Sequence, residues 1–218
     1  MNDHGCPWKE STCTAAAGGG HLDCLKYAHE HGCELGGETA RREAMREAAL
    51  GGHLDCLKYM HENGSPETTC HWAAKGGHLD CLKYLHEHGC RLDSDTCAAA
   101  AHYGHLDCLK YAHDHGCKWG VKTCAWAALG GHLDCLKYTH ENDCPWTTMT
   151  CSWAAKGGHL DCLKYAHDHG CPWEVRYGAL WAGGVDAMFQ AARRRWGAVK
   201  YVVAAEKVEE RRNFLKKA

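Results

Sequence analysis

The sequence has few of the residues that usually fill a core or shape loops, with only 2 Phe and 4 Pro among 218 residues. It has no apolar run approaching the ~18 to 20 residues that a membrane-spanning helix requires. The residues that follow Met1 form neither a basic segment nor an apolar one, so we expect no export signal. These absences favour a reducing intracellular compartment, either cytoplasmic or nuclear.

The motifs of the common enzyme classes are also missing. The sequence contains no G-x-S-x-G, no G-x-G-x-x-G, no phosphate-binding loop and no H-E-x-x-H. It has no Cys-x-x-Cys, which removes the most specific zinc signature. We therefore predict a protein that is not an enzyme, with no catalytic residues, no metal site and no cofactor.

A few residue types are abundant instead, because the chain is repetitive. The 17 Cys and 19 His lie mostly within copies of one unit. Its heptapeptide His-Leu-Asp-Cys-Leu-Lys-Tyr begins at residues 21, 53, 78, 105, 132 and 159, so the last three intervals are 27 residues. Internal repeats of this length indicate a solenoid or a similar array.

Each unit predicts two short helices. A Thr followed by a Cys/Ala-rich run predicts a Thr-capped first helix that a left-handed glycine ends, for example from Cys70 to Lys75. The second helix follows from Leu79 to His88 and ends at Gly89. Helix pairs of this size bury their apolar faces only by stacking, so the fold class is an all-α solenoid.

The unit resembles the ankyrin repeat, whose helix pair reads T-P-L-H-x-A-A-x-x-G-H. The match is closest over residues 68–90, where even the histidine of that pattern is present, as His71. The proline position is never proline, and the period is about six residues shorter than the usual 33. The resemblance therefore implies an ankyrin-like solenoid with short turns in place of full β-fingers.

The pattern sets the predicted boundaries. Residues 1–177 form the array, with a partial N-terminal repeat and six helix pairs, and residues 178–218 form a degenerate capping repeat and a basic helix. The longer spacer in the second unit, Glu38 to Ala49, is rich in helix formers and extends the first helix. After residue 190 there are nine Lys/Arg against three Asp/Glu, so nucleic-acid contact through this tail is an alternative function.

The cysteines occupy three positions in each repeat, and we call these the first, second and third slots. The first slot is Met45 in the second repeat, and the third slot, which follows a glycine, becomes Ser65 in another. Such exchanges favour small buried packing sites, while structural metal binding and redox roles stay open as alternatives. Disulfides between equivalent slots of adjacent repeats are not expected, because packed helices lie roughly 8 to 10 Å apart.

Function is predicted where the copies differ. Two first-helix positions, two and five residues after the first slot, vary while the heptapeptide stays constant, and the ankyrin resemblance places the first helix on the concave face that binds partners. We expect an unidentified protein partner, no membrane and no nucleic acid at this face. The predicted partner-binding residues are Trp72, Lys75, His102, Trp126, Trp153 and Lys156. The alternatives are that the indoles only fill gaps between repeats, or that the Cys and His residues bind metal.

Overall fold

The computed structural model describes residues 10–33, 35, 37–65, 70–120 and 122–172. Over these residues it contains twelve helices and no strand, which form six consecutive helix pairs, numbered here as repeats one to six. The helices are α1 Glu10–Gly18, α2 Leu22–Glu30, α3 Glu38–Gly51, α4 Leu54–Glu62, α5 His71–Gly76, α6 Leu79–Glu87, α7 Ser94–Tyr103, α8 Leu106–Asp114, α9 Thr123–Gly130, α10 Leu133–Glu141, α11 Thr148–Gly157 and α12 Leu160–Asp168. The described connections are short turns, as the sequence predicts.

The first helices of successive repeats pack side by side, and so do the second helices. The first helices approach closely because their facing residues are Ala, Cys and Gly. At Gly76, Gly130 and Gly157 an added Cβ would collide with a backbone carbonyl oxygen of the preceding first helix. The first glycine of the Gly pair therefore allows the first helices to lie this close together. A larger residue at this position fits only if the structure adjusts locally.

The second glycine of the pair positions the next repeat. Gly104 has a φ of 81°, and an added Cβ there would lie 2.7 Å from Cγ of His132 in the following repeat. Four other glycines stand in the same relation to the next heptapeptide histidine: Gly20, Gly52, Gly77 and Gly131. The histidine that begins the heptapeptide therefore packs between repeats. Its ring leaves room only for a glycine at the facing position of the preceding repeat.

The core runs along the stack between the two layers of helices. The second leucine of the heptapeptide is fully buried at Leu57, Leu82, Leu109 and Leu136. The first cysteine slot is buried in every described copy, and so is the second, except at Cys24. The structure therefore confirms that these slots are buried, as the predicted packing role requires.

The structure also tests the predicted helix ends. The long spacer of the second repeat does extend its first helix, which runs 14 residues as α3. The prediction that the repeated Thr caps each first helix is wrong: Thr96, Thr123 and Thr150 lie buried within the helices. Asp93 caps α7 instead, because its Oδ1 accepts the N–H of Thr96 at 2.9 Å.

Two sequence predictions lie outside the described residues. The boundary at 177/178 and the degenerate repeat with its basic helix over 178–218 stay predictions. Within the described part of the chain, no helix has the length and apolar character needed to cross a membrane.

Candidate functional site

A row of rings and cations runs along the first helices, and we call it the first-helix row. Its members are Arg46, Trp72, Lys75, His102, Tyr103, Trp126 and Trp153. At one end, the Arg46 guanidinium lies 5.3 Å from the ring centroid of Trp72. Lys75 Nζ lies 5.2 Å from the Trp72 centroid and 5.2 Å from that of Tyr103. Lys75 therefore links the third repeat to the fourth through cation–π contacts.

The row continues across the next two repeats. The rings of His102 and Tyr103 lie 4.8 Å apart in an edge-to-face arrangement. His102 meets Trp126 at 4.9 Å, and Trp126 meets Trp153 at 4.7 Å, again edge to face. This geometry is the favourable one for aromatic pairs. The second to sixth first helices thus share one chain of ring and cation contacts.

Five of the six predicted partner-binding residues belong to this row. Lys156 lies on the same helix as Trp153, three residues further on, and its side chain is exposed. The indoles of Trp72, Trp126 and Trp153 are half-buried, so they contact neighbouring repeats and also present surface to solvent.

Sequence reasoning missed Arg46 and Tyr103. The signal for Tyr103 was available, because this position, six residues after the first slot, is Gly in every other copy. At 43% exposure Tyr103 is one of two large hydrophobic side chains exposed in the described part of the chain. Arg46 gave no such signal, and its guanidinium also pairs with Glu43 at 3.0 Å and Glu47 at 2.8 Å.

The second helices carry a separate ladder of hydrogen bonds. The Tyr84 hydroxyl is hydrogen-bonded to Nδ1 of His61 at 3.0 Å, and the Tyr111 hydroxyl is hydrogen-bonded to Nδ1 of His86, also at 3.0 Å. The same pairing joins Tyr59 to His29 and Tyr165 to His140. The heptapeptide lysines lie over the tyrosine of the next repeat, for example Lys58 Nζ at 5.7 Å from the Tyr84 centroid. These repeated residues stabilise the stack, so they do not nominate a binding site.

Burial shifts the pKa of three histidines. Burial lowers the pKa of His71, His132 and His140 below the ordinary imidazole value. Nδ1 of His140 is hydrogen-bonded to the Tyr165 hydroxyl at 3.1 Å. None of these rings forms a nucleophile–base pair of the kind that hydrolases use. The shifted histidines therefore contribute to packing and to the pH dependence of stability.

Cysteine slots one and three of the same repeat meet beside the core. Cys13 Sγ lies 2.9 Å from Cys33 Sγ, and Cys97 is disulfide-bonded to Cys117, with Cα atoms 6.9 Å apart. The pairs that stand in this relation are Cys13–Cys33, Cys97–Cys117, Cys124–Cys144 and Cys151–Cys171. At the corresponding slots of the third repeat, Cys70 Sγ lies 3.7 Å from the carbonyl oxygen of Cys90. Over the described residues, no group of three or more Cys, His, Asp or Glu side chains is arranged to hold a metal ion.

Stacked helix pairs with these repeated contacts define a helical repeat protein. A family model described as ankyrin repeats (3 copies) matches residues 48–123 and residues 71–144. Residues 48–144 therefore match ankyrin repeats. The crystal structure of the human ASB11 ankyrin repeat domain matches with a TM-score of 0.61 and 21% identity, over 73% of this chain and 84% of that chain. No curated protein matches the sequence.

Proposed function

We propose that this chain is a non-enzymatic scaffold that binds a partner protein on its first-helix face. Ankyrin repeats are in general protein-interaction modules, and they are in general not enzymes. The observation that carries the choice of face is the first-helix row itself. It joins half-exposed indoles to cations across five repeats, and Trp, Tyr and Arg are the residues most enriched among interface hot spots.

The position of the row supports the proposal. Lys75 and Trp72 lie at the predicted variable positions, whereas the hydrogen-bonded second-helix ladder uses residues repeated in nearly every copy. A recognition surface differs from repeat to repeat because its partner is not repetitive. Edge-to-face contacts hold Trp126 and Trp153 in place, so little side-chain entropy is lost when a partner binds.

The other described surfaces are weaker candidates for a binding site than the first-helix row. A shallow depression between α1 and α3 is lined by small side chains and by Glu43 and Glu47, without a Cys or His. Its lining lacks the aromatic side chains and the cations of the first-helix row. The alternative of nucleic-acid contact concerns the basic tail, outside the described residues, and stays a prediction.

A photo-crosslinking experiment tests the proposed face. A photoreactive amino acid replaces Lys156, which is exposed beside Trp153, and in a matched protein it replaces Asp107, which is exposed on a second helix. Both proteins are irradiated in native lysate, and the crosslinked proteins are identified by mass spectrometry. We expect a defined partner from the Lys156 site alone. The same set of proteins from both sites would contradict the proposal.

A variant then tests the indoles with any partner so identified. Trp126→Leu with Trp153→Leu keeps apolar volume in the row but removes the rings, and we expect binding at least tenfold weaker. Tyr27→Ala is the control, because Tyr27 is an exposed aromatic residue on a second helix. Circular dichroism confirms that each variant is folded. Unchanged binding by the folded Trp variant would mean that the indoles serve only to fill gaps between repeats.

A further inference from the structure

The cysteine pairs join the first helix of a repeat to the turn after its second helix. In each pair the two positions are 20 residues apart. The partners lie in the same repeat, so they differ from the equivalent slots of adjacent repeats that the sequence comparison considered. All ten side chains are buried, at 6% exposure or less.

One repeat lacks both members of the pair. Met45 occupies the first slot of the second repeat. The sequence comparison assigned Ser65 to another repeat, which is wrong: Ser65 follows α4 and therefore occupies the third slot of that same second repeat. The two exchanges therefore fall on one pair site. A packing role alone would let either position change by itself, whereas a bond between the two thiols loses its purpose when one thiol is lost.

The second slot behaves differently. Its cysteine is present in all six copies, and it lies within the second helix. Burial raises the pKa of Cys108 and of Cys135 to about 12. These thiols stay protonated at neutral pH, as expected of packing residues.

We propose that the five cysteine pairs are redox sites, each of which forms a disulfide within its own repeat when the protein meets a low-molecular-weight disulfide such as oxidised glutathione. Such a bond fastens the first helix, which carries the first-helix row, to the following turn. Oxidation would then fix the recognition face one repeat at a time.

The chemistry is thiol–disulfide exchange. The turn thiolate attacks one sulfur of the small disulfide, forming a mixed disulfide and releasing one small thiolate. The first-helix thiol loses its proton to solvent and attacks the protein sulfur of the mixed disulfide, which releases the second small thiol. Two protein thiols are oxidised and one small disulfide is reduced to two thiols, so atoms and electrons balance.

The hydrogen bonding within the pairs supports this order of attack. The Cys124 thiol donates to Cys144, which lowers the pKa of Cys144 and raises that of Cys124. The Cys151 thiol donates to Cys171 with the same two effects. In these two pairs the turn cysteine is therefore the better nucleophile, and it lies in the segment that opens with the least loss of helix.

The test counts thiols in the whole chain carrying Cys24→Ser, which removes an exposed cysteine that would otherwise crosslink two molecules. The folded protein is fully reduced, freed of reductant, and incubated with oxidised glutathione. Peptide mapping without reduction should find the five native pairs and unmodified second-slot thiols. The melting temperature should rise by about 6 to 12 °C for each disulfide formed and return when dithiothreitol is added. A folded protein that keeps all its thiols, or bonds them in other combinations, overturns the proposal.

Matched variants make the assignment specific. Cys124→Ala with Cys144→Ala should remove one disulfide and leave the other four. Cys135→Ala with Cys162→Ala changes two buried second-slot cysteines and should remove none. Met45→Cys with Ser65→Cys should add a sixth disulfide at the site where the natural chain has none. If this last variant folds but does not form the sixth disulfide, the proposal is also overturned.

Discussion

The interface between the fourth and fifth repeats depends on one glycine. Gly104 follows α7 with a φ of 81°, and an added Cβ would lie 2.7 Å from Cγ of the His132 imidazole. The substitution Gly104→Ala therefore has two separate energetic costs. Its backbone must hold an alanine in the left-handed region, and the ring of the next repeat must move aside.

The two costs can be estimated separately. An alanine held in the left-handed conformation costs about 1 to 2 kcal/mol. Carbon atoms in ordinary contact lie about 3.5 to 4.0 Å apart, so the ring must move by about 1 Å, and overpacking of this kind costs about 1 to 3 kcal/mol. We expect Gly104→Ala to lower the free energy of unfolding by about 2 to 5 kcal/mol in total.

Urea denaturation followed by tryptophan fluorescence measures this loss. The matched control is Gly116→Ala in the same repeat, where φ is 86° and an added Cβ would meet nothing within 4 Å. The control should lose only the backbone cost of about 1 to 2 kcal/mol. In a His132→Ala background, Gly104→Ala should fall to the same value. Equal losses for Gly104→Ala and Gly116→Ala in the natural background would refute the role given to the imidazole.

Two further predictions concern the histidines. Tyr84→Phe removes a hydroxyl that is hydrogen-bonded to a neighbouring imidazole, and should lower the free energy of unfolding in urea by about 0.5 to 1.5 kcal/mol. Tyr138→Phe should cost less, because the histidine Nδ1 beside Tyr138 has no hydrogen-bond partner, and equal losses would contradict the ladder. Burial lowers the pKa of His132 and His140, so the unfolded chain binds more protons below about pH 6.5. Stability should be complete above about pH 7 and decline as the pH falls towards about 5. His132→Ala should flatten that decline, and a urea midpoint equal at both ends of this range would argue against buried neutral rings.

Much of the fold can be predicted from the sequence because the same local pattern occurs six times. The helix pairs, the glycine ends and the long α3 are each indicated by local chemistry that recurs in register. The helix starts were predicted less well. A hydroxyl near a helix start is consistent with a cap or with a buried first-turn residue, and the repeated Thr is the second of these, as at Thr96. The actual cap, Asp93, lies in the connection, where the copies differ.

The site was predicted in part for a similar reason. Variation among the copies pointed to the indoles, to Lys75 and to His102, and the structure brings these together. Tyr103 was missed because the comparison covered the positions two and five residues after the first slot, whereas Tyr103 lies six residues after it. The cysteine pairs were missed because a comparison of equivalent slots looks along the stack, whereas the contacts run between different slots of one repeat. The distance between the two cysteines of a pair depends on how the turn after the second helix folds back towards the first helix.

The ladder between second helices has a consequence for how such a chain can change in length. Each step joins a tyrosine of one unit to a histidine of the unit before, and both come from the same short stretch of sequence, as in Tyr111 with His86. A copied unit therefore brings both complementary halves of its own junction. Insertion or excision of one whole 27-residue unit therefore leaves the tyrosine–histidine chemistry of the second-helix junctions unchanged, so the gene can gain or lose first-helix surface without redesigning this layer of the scaffold.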